Sequence, residues 1–207
     1  MGAQPSRVRE EDHQAPSANG TRAFMDKLPF KISLTPIRKR NRRRSLVHPP
    51  PLTEEQKGLI IHTWTILKQD IAKVGVAMFI GLFETHPEAQ DIFLSFKGIP
   101  HKELRDNPQL RSHSLRVLGT VDKVVSRIND EEKIAAVLLE LGKKHKAYNA
   151  HTDFLEVSMG IDYMGEAFIF ALKPAIADVW TTDVEKAWRD AFQLIIYYMK
   201  KGLLSAT

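Results

Sequence analysis

LELGKKHKAYN, residues 139–149, ends an apolar helical stripe on one histidine, His145, with Lys143, Lys144 and Lys146 crowded around it. Leu141, four residues before His145, shares its helical face. The counterpart is NPQLRSHSLRVLG (107–119), where His113 shares a face with Val117. Asn129-Asp130 reads as a turn between two amphipathic helices, 108–128 and 131–148, which makes them an antiparallel hairpin. His113 stands 16 residues before Asn129 and His145 16 after it. At ~1.5 Å of rise per residue, each lies about 24 Å from the turn. The two imidazoles are therefore level, and if the helices splay they face each other across a slot.

Both histidines sit in apolar stripes, and Phe93 and Phe96 lie on the segment leading in. An apolar slot with opposed neutral imidazoles suits a flat, greasy disc with a metal at its centre. Haem fits that description: its iron takes one histidine, and the other axial site takes a second histidine or a gas. Zinc fits worse, because it wants three or four clustered ligands and none of the other six histidines has matching spacing. Spacing alone leaves a plainer reading standing, an exposed and a half-buried histidine in a helical bundle.

Outward from the hairpin the signals stay helical, and no stretch alternates as a strand would. Thr53 and Gln56 form a capping box opening a helix with Leu59, Ile60, Thr63, Trp64 and Leu67 on one face. A second helix covers roughly 74–85, and Pro87 opens a short third one ending near Phe93 and Phe96. Residues 98–107 read as loop, and Asn107-Pro108 caps the helix that carries His113. After 131–148 come two longer helices, about 153–172 and 182–204, the last opened by a Thr182–Glu185 capping box. The fold class is all-α, with seven or eight helices in a domain over 53–207. There is no Gly-rich phosphate loop, no Ser/His/Asp pattern and no CxxC.

The chain has no cysteine, which excludes disulfides, thiolate metal sites and S-palmitoylation and fits a reducing compartment. No apolar run approaches the ~18 residues of a membrane span. Charge is unevenly placed: residues 1–52 carry 11 Lys and Arg against 4 Asp and Glu, and the remainder carries 19 against 21. The slightly acidic body argues against a nucleic-acid-binding domain.

Over about 53–204 the chain resembles the globin family. The resemblance rests on Trp64 in the first helix, His86-Pro87 opening the short third one, and Phe93 where globins place the phenylalanine that packs on the haem. Phe96 follows three residues on; then come NPQLRSHSLRVLG with the distal histidine, LGKKH (141–145) with the proximal one, and Trp188 in the last helix. The 32-residue separation of the histidines matches the cytoglobin-like branch. The resemblance implies haem b, with His145 as proximal iron ligand and His113 as distal residue. It places Phe79, Val117 and Phe93 around the ligand pocket, and Leu141 on the proximal side. Arg116 would reach a propionate or the pocket mouth, and Gly75 and Ser114 would let the second and fifth helices cross closely. One departure stands out: after the proximal helix, globins put an aliphatic residue against the haem, and here the candidates are Ala150 and His151.

Residues 1–52 mix Pro, Ser, Gly, Asn and charges without periodicity and read as a disordered basic arm. MGAQPS fits the N-myristoylation pattern, which makes Gly2 a lipidation candidate. RKRNRRR (38–44) adds a polybasic segment for an anionic membrane surface. The combination resembles the membrane-attached globins of the globin X group, although those add a palmitoylated cysteine that this chain lacks.

The resulting expectation is a haem globin that binds dioxygen and other diatomic gases. It would be bis-histidyl and six-coordinate, with a redox, signalling or oxygen-sensing role and an unknown redox partner. Its place would be cytoplasmic, peripheral on the inner face of the plasma membrane. Redox turnover such as nitrite reduction or nitric oxide dioxygenation is compatible with that, because bis-histidyl iron keeps similar coordination in both oxidation states. A five-coordinate oxygen store or carrier is the alternative within the family. A haem-free helical interaction module is the alternative outside it.

Overall fold

A computed structural model describes residues 47–148 and 154–205, with the side chains of 47–147 and 161–205. The arm motifs at Gly2 and 38–44, together with Ala150 and His151, lie outside the described residues. The described chain is helical throughout: α1 (Glu54–Leu67), α2 (Ile71–Thr85), α3 (Pro87–Ile92), α4 (His101–Leu104), α5 (Pro108–Val125), α6 (Glu131–Tyr148), α7 (Phe154–Ala175) and α8 (Thr182–Ser205). Short 3₁₀ turns at Lys68–Asp70 and Ala177–Val179 join α1 to α2 and follow α7.

Local chemistry explains most boundaries. The Thr53 hydroxyl accepts from the Gln56 amide at 3.2 Å while the Gln56 side chain accepts from the Thr53 amide at 3.0 Å, so the capping box forms as expected. Gln56 also donates to Asp190 at 2.7 Å, fastening α1 to α8. The Asn107 side chain accepts from the amides of Gln109 and Leu110, and Pro108 occupies the first turn of α5.

Several boundaries differ from the sequence reading: α2 begins three residues early, at Ile71, and α7 runs three residues further, to Ala175. The loop 98–107 contains one helical turn, α4, whose Leu104 is fully buried. A single buried leucine leaves no periodicity to read. Helix α5 ends at Val125, and residues 126–129 continue as turns. The cap of α8 falls one residue early: the Thr181 hydroxyl accepts from the Val184 amide at 3.1 Å. Glu185 is then too far along to return to the cap, and it pairs with Arg189 instead, accepting from Nε at 2.9 Å.

The helices close around two tryptophans. Trp64 donates to Asp122 at 2.7 Å and Trp188 to the buried Thr63 hydroxyl at 3.0 Å, so each large ring is buried with its one polar atom satisfied. Two crossings bring backbones close enough to exclude a side chain. On Gly75 of α2 a Cβ would stand 2.9 Å from Ser114 Cβ and Oγ, so the two small residues predicted there do meet. A Cβ on Gly142 of α6 would collide with the carbonyl oxygen of Met199, and one on Gly202 of α8 with that of Leu139.

Before α1, His48 packs back onto the domain. Its Nε2 lies 2.7 Å from Glu131 and 3.1 Å from the Tyr198 hydroxyl, and its ring meets Tyr197 and Tyr198 edge-on. His86, between α2 and α3, stacks on Tyr163 with centroids 3.8 Å apart, which gives that histidine a packing role.

Candidate ligand site between two histidines

Helix α5 buries Leu110, Ser114, Leu118 and Val121 as one stripe. His113 and Val117 flank that stripe one turn apart, both half-buried. The His113 ring stands edge-on to three phenylalanines, with centroids 5.1 Å from Phe79, 5.5 Å from Phe93 and 6.1 Å from Phe96. Phe79 and Phe96 are buried and Phe93 half-buried, so apolar rings wall one side of the imidazole. This is a poor place for a cation. Burial first, then the Arg116 guanidinium, then the charge of His145, push the His113 pKa down to about 4. At neutral pH the ring is uncharged, as a metal ligand or neutral hydrogen-bonding group must be.

Helix α5 packs on α2 and α6 on α8 rather than chiefly on each other, so the two histidine-bearing helices splay. His145 Nδ1 lies 2.9 Å from the carbonyl oxygen of Leu141, one turn back on α6. A carbonyl only accepts, so Nδ1 carries a proton, and in the neutral ring the lone pair is then on Nε2. Such orientation by a neighbouring acceptor is typical of metal-binding histidines. Leu141 and His145 are both half-buried.

Arg116 closes the outer edge. It donates from Nη1 to Ser112 Oγ at 2.9 Å and from Nη2 to His113 Nδ1 at 3.3 Å. A cleft of about 510 Å³ opens beside it, between the 93–96 corner and the start of α5, with His113 in its wall.

Two contributors are not signalled as site residues by the sequence. Phe83 extends the aromatic wall, 5.9 Å from Phe79 and 5.6 Å from Phe93. Gln90, buried in α3, donates to the carbonyls of Phe96 at 2.6 Å and Ile99 at 2.9 Å and accepts from His101 at 3.0 Å. It thereby pins the corner that presents Phe93 and Phe96. Phe83 belongs to the apolar pattern of α2 and is legible there as core, whereas a glutamine in a six-residue helix carries no signal of its partners.

The donor set limits what can bind. Among the described residues no three His, Cys, Asp or Glu side chains converge as a metal cage. A metal between two imidazoles must therefore take its other ligands from a partner molecule. A planar macrocycle supplying four nitrogens meets that need, and aromatic walls suit its faces. The residues present fit haem.

Comparison with known proteins agrees. The family model described as Globin matches residues 76–199, a span that contains both histidines. Neuroglobin-2 of Oncorhynchus mykiss is 28% identical over 152 residues, covering 73% of this chain and 92% of that protein. Cytoglobin-2 of Danio rerio is 29% identical, covering 64% and 76%. An anaerobic nitrite reductase of Gossypium hirsutum is 26% identical, covering 72% and 88%. Among solved structures, the hexacoordinated heme protein from an anhydrobiotic tardigrade superposes with a TM-score of 0.69 at 21% identity, covering 75% of this chain and 97% of its own.

Proposed function

The chain belongs to the globin family, and from that premise we propose that it holds haem b between His145 and His113 and binds dioxygen and other diatomic gases. The observation that carries this is a neutral His113 against a wall of phenylalanines, with His145 Nδ1 engaged by the Leu141 carbonyl on the helix that follows. His145 would hold the iron, and haem when bound would supply a metal able to take a gas or a second histidine. Phe79, Phe93 and Phe96 wall one side of the His113 ring, and Phe83 backs Phe79 and Phe93. Gln90 keeps the corner that carries two of them in place.

The finer reading is a bis-histidyl globin in which His113 closes the sixth site reversibly. Support comes from the neutral His113 and from the likeness to the tardigrade protein, itself a hexacoordinated heme protein. A gas must then displace His113, so part of its binding free energy goes into that displacement. Such a protein is a poor bulk carrier and better suited to redox or signalling duty. The match to a plant anaerobic nitrite reductase is consistent with small-molecule redox turnover. A membrane setting is supported by the basic excess of residues 1–52 and by the MGAQPS pattern at Gly2.

The visible spectrum of the deoxygenated ferrous protein tests the reading. Sharp, split low-spin bands are expected. A single broad band would replace the bis-histidyl reading with the five-coordinate one, and absence of a Soret band after reconstitution would remove haem altogether.

A further inference from the structure

Both ring nitrogens of His48 face acceptors. Nδ1 lies 2.6 Å from the carbonyl oxygen of Pro49, and Nε2 lies 2.7 Å from Glu131 Oε1 at the start of α6. The Tyr198 hydroxyl of α8 stands 3.1 Å from Nε2, but it donates to the same Glu131 oxygen at 2.7 Å, so toward His48 it too accepts. A carbonyl and a carboxylate have no proton to give, and a neutral imidazole has only one to offer. In the neutral ring, one of the two short contacts would set a lone pair against an oxygen. The imidazolium, with a proton on each nitrogen, donates at both. Besides Glu131, the ionisable groups around the ring are Tyr197 and Tyr198, both edge-on to it, with Lys201 over the Tyr197 ring. Burial, then the bond to Glu131, push the Tyr198 pKa up to about 12, so that hydroxyl stays neutral near physiological pH. Among these side-chain types, histidine is the one that changes charge near neutrality.

We propose that His48 is a proton-operated clasp: as an imidazolium it fastens residues 47–53 to α6 and α8, and as a neutral ring it lets that strap lift. The clasp stands apart from the haem reading and does not depend on it. A second contact seats the other end of the strap, where Leu52 completes an apolar hollow walled by Ile60, Val121, Ile134, Trp188 and Ile195 of α1, α5, α6 and α8. Pro49, Pro50 and Pro51 stiffen the link between the two contacts. The basic run 38–44 ends four residues before His48, so the clasp sets where the chain carrying that run meets the domain. Closed, the chain is held at His48 beside Glu131. Lifted, it is held first at Thr53, whose cap on α1 does not involve the clasp. The five residue steps between them add up to about 17 Å of reach. A rise in pH would thus let the basic run extend further from the domain.

The test is proton NMR on the full-length protein, read as cross-relaxation between the His48 and Tyr197 rings, whose centroids are 4.8 Å apart in the closed strap. Spectra are compared at about pH 5.5 and about pH 8.5, on either side of the range in which histidines change charge. In wild type the contact should be strong at the lower pH and about threefold weaker at the higher, the modest factor expected of an ion pair whose side chains are 43% and 41% exposed. Glu131→Gln should erase that difference, because its amide donates to a neutral Nε2 or, turned over, accepts from a protonated one. Tyr198→Phe keeps the ring and the carboxylate, so it should weaken the contact at both pH values and leave the difference in place. A wild-type contact of equal strength at the two pH values overturns the clasp. So does a Glu131→Gln protein that keeps the wild-type difference, because the proton then acts somewhere other than between His48 and Glu131.

Discussion

His145 and His113 have the same side chain and different immediate neighbours, the Leu141 carbonyl for one and three phenylalanines with Arg116 for the other. Nothing else on the proximal face supplies an imidazole among the described residues, so His145→Ala should lose most bound haem, read as the Soret band surviving gel filtration. His113→Ala should keep haem and open the sixth site, raising the carbon monoxide association rate. The reverse pattern would exchange the two assignments. The depressed pKa of His113 has a further consequence for the haem-free chain. Unfolded, the ring takes up a proton near its ordinary value of 6.5, while the folded ring resists until about pH 4. Between those values the unfolded state binds more protons, so the linked stability is intact above pH 6.5 and is lost as pH falls toward 4. The urea midpoint of the haem-free wild type should therefore drop through that window, and that of His113→Leu should drop less.

Among the elements, α6 matters most, because it carries His145 and is positioned by its crossing with α8. Gly142 lies three residues before His145 and rests on the backbone of Met199, as Gly202 does on that of Leu139. Backbone cannot yield as a side chain end can, so Gly142→Ala or Gly202→Ala should push the helices apart. Overpacking of this kind costs about 1–3 kcal/mol. Equilibrium denaturation should show that loss, with weakened haem retention because His145 moves with its helix. Values within a few tenths of wild type would mean the crossing is looser than the geometry indicates. The elements also show where reading stops. The Thr53 and Asn107 caps are legible because their partners lie two or three residues away. The cap of α8 differs by one residue because Thr181 and Thr182 offer the same hydroxyl, and only the docking of the helix decides between them. Gln90 escapes the sequence because its acceptors, the carbonyls of Phe96 and Ile99, exist as a pair only once the corner has folded.

At the scale of the whole molecule the arm is what the membrane reading depends on. A single myristoyl chain holds a membrane only marginally, with a constant of about 10⁴ M⁻¹, and each basic residue near an anionic leaflet adds roughly 1 kcal/mol. Arg38, Lys39, Arg40, Arg42, Arg43 and Arg44 supply six such charges. Neither signal should suffice without the other. Gly2→Ala, about 0.5 M salt (a screening length of ~4 Å), and a phosphate mimic at Ser45 should each weaken vesicle binding while leaving the haem spectrum unchanged. Co-sedimentation of Gly2→Ala protein equal to that of the acylated chain would remove the lipid anchor. Indifference to salt as well would remove the membrane. His48 supports the separation of roles, since it fastens the chain to Glu131 and Tyr198 between the basic cluster and α1.

The sequence by itself determined the all-α class, the caps at Thr53 and Asn107, and the aromatic segment at Phe93 and Phe96. These are periodic or local features, and helical geometry converts spacing into position without help from the rest of the chain. Only the tertiary structure decided that Phe83 joins the wall, that Gln90 pins the corner, and that α6 and α8 touch backbone to backbone. Each of these depends on particular groups meeting at hydrogen-bond or van der Waals distance. Such distances are set by how the helices pack and which rotamers they allow, and one-dimensional spacing does not encode them.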